Sequence, residues 1–156
     1  MYKRLLLIIG LLCSSVSYSA GSSINELNSC LALVDFVDIK LSEFSPNYDP
    51  QDIAVVHKGL FMYSRFLQDE VITPKLVHMY GGNKTQARLM QKLFDRQRKT
   101  FLLHLNERYT EQKLFTEYAD SINQCQIRNP VRTEATEALG RALDTIKRMI
   151  STRPLA

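Results

Sequence analysis

Two cysteines near opposite ends of the chain, Cys30 and Cys125, limit the available folds more than any other feature. The sequence holds three cysteines, and the fate of the third decides whether these two have one another as partners. Cys13 follows Lys3, Arg4 and the apolar run Leu5 to Leu12, and it precedes the small-residue stretch Ser14-Ser15-Val16-Ser17-Tyr18-Ser19-Ala20. A basic start, a short apolar core and then small residues form the pattern of a secretory leader. The run is well short of the roughly 20 residues a membrane span needs. Ser17 and Ser19 favour cleavage after Ser19, with Ala20 as the rival site, so residues 1–19 and Cys13 are expected to leave. Bulky Leu12 argues against lipidation of Cys13. An even pair of cysteines in an exported chain then predicts one disulfide and a periplasmic or secreted location.

The leader also changes the charge. It carries two of the twenty basic residues and none of the sixteen acidic ones, leaving eighteen cations against sixteen anions. So small an excess does not by itself argue for nucleic acid or a membrane surface as partner. The remaining chain has the length of one ordinary domain.

Glycine is sparse and apolar residues recur at three and four rather than two, which predicts an all-α fold. A first helix is expected from Ser23 to Phe44, with Leu27, Cys30, Leu31, Val34, Val37, Leu41 and Phe44 on one stripe. Asp49-Pro50-Gln51-Asp52 opens a second, with Asp49 as N-cap and Pro50 at the first helical position. Pro74 should kink that helix, or stop it at Ile72 and restart it with Thr73 as cap. Gly81-Gly82 ends it, and Asn83 with Gln86 makes a capping box for a third helix carrying Leu89, Leu93, Phe94, Phe101, Leu102 and Leu105. One helix from there to Gln126 would run about 66 Å at 1.5 Å per residue, so a break near Tyr109-Thr110 is expected. The fourth helix, Glu111 to Gln126, aligns Leu114, Tyr118, Ile122 and Cys125.

An up-down four-helix bundle would place Cys30 and Cys125 at the same end. Residues 20–128 are therefore expected to form a disulfide-tied bundle. Residues 129–156 supply a hinge at Asn129-Pro130 and an additional amphipathic helix from Thr133 to about Ser151.

Motifs for chemistry are sparse. His57, His78 and His104 stand far apart, and His104 with Glu107 is one isolated pair where a di-metal bundle needs the reverse order twice. Met62 and His104 are candidate ligands for a haem held across the bundle, although Cys-x-x-Cys-His is absent. Gly81-Gly82-Asn83-Lys84-Thr85 hints at a phosphate loop, but Asn83 interrupts the required Gly-Lys pair, and a helix stop followed by a helix cap explains every residue. Neither Gly-x-Ser-x-Gly nor His-Glu-x-x-His occurs.

Two surface features remain. Arg88, Lys92, Arg96 and Lys99, together with Arg98, give the third helix a basic face, relieved by Asp95 and suited to an acidic protein or anionic headgroups. The fifth helix, with Leu139, Leu143, Ile146 and Ile150 on its stripe, must pack on the bundle, swap into a second copy or bind a partner. The expected function is that of a small exported helical protein that binds another protein, as an adaptor, an inhibitor or immunity factor, or a chaperone-like factor, without a cofactor. The alternatives are a carrier of an apolar ligand or haem and an enzyme without a readable motif.

Overall fold

The computed structural model describes residues 22–108, 114–128 and 133–152, with side chains omitted at 114–117 and 126–128. The leader, Tyr109-Thr110 and the Asn129-Pro130 hinge lie outside the described residues. Within them every regular element is helical.

Local chemistry explains the boundaries. Helix α1, Ile24–Phe44, starts on a reciprocal box in which the Ser23 hydroxyl accepts from the Glu26 N–H and the Glu26 carboxylate accepts from the Ser23 N–H. Ser45–Asn47 forms a short 3₁₀ turn. Helix α2, Pro50–Phe66, follows with Asp49 accepting from the Gln51 N–H at 2.7 Å.

Pro74 does not break the helix. Leu67–Ile72 widens into a π-helical segment that runs into α3, Thr73–Met79. Thr73 is helical rather than an N-cap: its N–H and its hydroxyl both donate to the Gln68 carbonyl. The wider turn moves the hydrogen-bonding register off the four-residue ladder that a proline ring obstructs.

Gly81 and Gly82 then adopt positive φ. Their N–H groups bond back to the carbonyls of His78 and Val77, closing a Schellman motif that only residues tolerant of the left-handed region sustain cheaply. Asn83 caps α4, Lys84–Arg108, by accepting from the Thr85 and Gln86 N–H groups. The return half of the expected box is replaced, because the Asn83 N–H goes to the Tyr80 carbonyl.

Helix α5 covers Leu114–Arg128 and α6 covers Glu134–Ser151. Thr133 and Thr136 make a second reciprocal cap at the start of α6.

Helix α1 is central and touches α2, α4 and α5, while α6 packs chiefly on α2 and secondarily on α5. The disulfide joins Cys30 on α1 to Cys125 on α5 across 95 residues, and the same two helices meet again in an edge-to-face contact between Phe36 and Tyr118. Closing a loop of that length contributes up to about 4.7 kcal/mol on the chain-entropy model.

The last helix is not an addition to a finished bundle. Leu139, Ala142, Leu143 and Ile146 are core residues packed with Val56, Leu60 and Tyr63 of α2 in one cluster. The approach is close at Gly59, where a Cβ would stand 2.4 Å from the Ala138 carbonyl oxygen and 2.6 Å from the Ala142 Cβ. Arg148 and Asp52 pair at 2.6 Å along the same seam.

Gly59→Ala is therefore expected to lower stability by about 1–3 kcal/mol through overpacking, despite a helix-propensity gain of about 1 kcal/mol. Urea unfolding measures it, and an unchanged midpoint would mean that α6 shifts outward freely.

Tyr63 supplies a second test. Its hydroxyl is buried with no partner among the described residues, and burial pushes its pKa up to about 12. A group raised in the folded state contributes stability that is present below its unfolded value and lost as pH rises through the folded one. Tyr63→Phe should match or exceed the parent by about 1 kcal/mol at neutral pH, and should lessen the loss on going from pH 10 to 12. A large destabilisation at neutral pH would reveal a hydrogen bond at that oxygen.

Candidate functional site

Helix α4 differs from the others in how little of it is buried. Only Ala87 and Leu105 of its 25 residues are fully covered, whereas eight of the 18 residues of α6 are. Its neighbours α1 and α3 lie on one side, and the inward face is Ala87, Met90, Phe94, Leu102 and Leu105.

Polar groups choose that face. The buried Asn28 side chain donates to the Phe94 carbonyl at 2.9 Å. Arg98 lies 3.6 Å from the Asp35 carboxylate and 3.7 Å from that of Asp95. Burial pushes the Asp35 carboxyl above its ordinary value, Arg98 opposes that rise, and Asp38 adds to it. The α1–α4 seam thus has apolar ends and a charged middle.

The outward face carries four of the five basic residues picked out in the sequence; the fifth, Arg98, is turned into the α1–α4 seam by Asp35. Arg88, Lys92, Arg96 and Lys99 are all exposed, and none has an ion-pair partner among the described residues.

Leu89 and Leu93, expected on the buried stripe, stand among them, 58% and 46% exposed, and Leu103 is 56% exposed farther along. This corrects the sequence expectation. The helix has two apolar faces, and Asn28 and Asp35 hold the other one inward. The sequence carries the signal of this second face: Leu89, Leu93, Arg96, Thr100, Leu103 and Glu107 recur at alternate spacings of four and three.

The remaining candidates are not assembled into a site. Leu139, Leu143 and Ile146 of α6 are covered by the protein's own core, and Ile150 packs against it half-buried. In this fold α2 occupies most of that stripe.

Met62 lines an open groove of about 480 Å³ with Phe61, Arg65, Glu70 and Glu134 at the α2–α6 junction. His104 is exposed on α4 beside Glu107 and does not line that groove. Asn83 already takes up the first N–H groups of α4, which leaves its glycine turn a cap rather than a phosphate cradle.

The His57 Nδ1 meets the Asp38 carboxylate at 2.5 Å, a pair the sequence did not suggest. Such a pair orients an imidazole, and here it ties α2 to α1. His78 is exposed on α3. Among the described residues no cluster of three or more His, Cys, Asp or Glu side chains is placed to hold a metal ion. No described helix is long and apolar enough to cross a membrane.

Comparison with protein-family models, with curated proteins and with solved structures finds no match to this chain.

The charged seam yields a pH-dependent test. Asp35, raised by burial, follows the same linkage as Tyr63: its contribution is present below the ordinary carboxylate value and lost as pH rises through the folded one. Arg98→Gln removes the opposing cation and raises Asp35 further. The variant is expected to be destabilised by about 1–3 kcal/mol near pH 7 and to recover part of the loss near pH 5. Equal losses at the two pH values in urea melts would show that Arg98 acts by packing alone.

Proposed function

We propose that this is an exported, periplasmic protein that acts by binding another protein, as an adaptor, inhibitor or chaperone-like factor, and that the outer face of α4 is its binding surface. The observation that carries this reading is the exposure of three leucines beside four cations on a helix seated along one side only. Isolated exposed leucines are ordinary; leucines sharing one helix face with a row of cations offer a partner both apolar contact and a charge that steers it.

Export is supported by the leader pattern and by a disulfide, which persists in oxidising compartments. An up-down course for α1, α2–α3, α4 and α5 belongs to the same reading. It is supported by the tight turns at Ser45–Asn47 and Gly81-Gly82 and by the bridge from early α1 to late α5.

The test uses the full mature chain, oxidised and tagged, in its host's envelope. Lysine crosslinking followed by mass spectrometry should give intermolecular links from Lys92 and Lys99 but not from Lys58 or Lys147, which are exposed on other helices. Leu93→Glu combined with Arg96→Glu should abolish those links while changing stability by no more than about 0.5 kcal/mol, as surface substitutions do. Links that survive the double substitution, or that fall equally on all four lysines, would overturn α4 as the binding face.

A further inference from the structure

Resting on that reading of α4, we propose that the partner presents an acidic amphipathic helix, which lies lengthwise along α4 and sets a carboxylate against Arg96. The spacing carries this inference. Leu89, Leu93, Arg96, Thr100, Leu103 and Glu107 are all exposed and alternate at four and three, a seam of about 27 Å at 1.5 Å per residue. A second helix is the element whose side chains mesh with that repeat over such a length. A strand, with its period of two, would fall out of register.

Charge selects the kind of helix. Arg88, Lys92 and Lys99 line one edge of the seam, while Gln97 and His104 line the other, so the facing helix carries its acids along one side. Arg96 sits within the seam itself, where a cation covered by an apolar partner would be left without a counter-charge. A carboxylate opposite it fixes both register and partner identity. A second copy docking through its own α4 is disfavoured in either direction: antiparallel, the cationic edges would face one another, and parallel in register, Arg96 would face its own copy.

An anionic bilayer is the competing occupant. It would have to admit Arg96 and Thr100 between Leu93 and Leu103 into its apolar layer and Glu107 near its headgroups, whereas a helix offers each a matched position.

The experiment uses the full oxidised chain and three peptide probes of about three heptads. The first has Leu at the seam positions and Glu along the flanks, the second has the same composition shuffled, and the third has Lys in place of Glu. Vesicles of phosphatidylcholine with phosphatidylglycerol are the fourth probe. The acidic peptide is expected to bind, to gain helical circular dichroism on binding, and to weaken with added salt. The shuffled and Lys peptides should bind at least about tenfold more weakly, and Arg96→Glu or Leu93→Gln should cost a similar factor against the acidic peptide.

Equal binding of the shuffled peptide, indifference to Arg96→Glu, or no binding of the acidic peptide would overturn the helical partner. Vesicle binding that Leu93→Gln abolishes would overturn it in favour of lipid and leave α4 as the working face. Failure of the crosslinks from Lys92 and Lys99 would instead remove α4 itself.

Discussion

The close approach of two backbones at Gly59 organises most of this molecule. Because that position has no Cβ, α6 can press its Ala138 carbonyl and Ala142 methyl against α2, and Leu139, Leu143 and Ile146 then complete a core that α1 begins. With α6 on α2, and α5 between α6 and α1, little core remains for α4. That helix is held on the far side of α1 by Asn28 and by the Asp35–Arg98–Asp95 charges, contacts that position a helix more than they bury it.

The helix ends were legible in the sequence because each depends on a few adjacent residues. Ser23, Asp49 with Pro50, the glycine pair with Asn83, and Thr133 all occupy the terminal positions their chemistry demands. The pairing of Cys30 with Cys125 was legible by elimination, and the structure makes it. The all-α class followed from periodicity.

Features set by distant residues were not legible. Nothing local reveals that Pro74 would be accommodated by a π-segment rather than a break, since a proline signals obstruction without saying how the preceding turn responds. Nothing near Leu139 says that Gly59, some eighty positions earlier, clears a place for its helix. On α4 the pattern was ambiguous for a physical reason: two apolar faces satisfy one periodicity, and Asn28 and Asp35 on another helix decide which turns inward. The basic cluster was found from spacing, yet the exposed leucines beside it were assigned to the core.

The contact between residues 59 and 138 also orders events in time. A ribosome delivers the chain from its N-terminus, so α2 emerges with Val56, Leu60 and Tyr63 uncovered and must wait for about eighty further residues before α6 reaches it. During that interval the cysteine on α1 has no partner either, because Cys125 also comes late. Both the covalent and the apolar closure of the domain therefore depend on its distal helices, so the early ones stay uncovered until the last have been delivered.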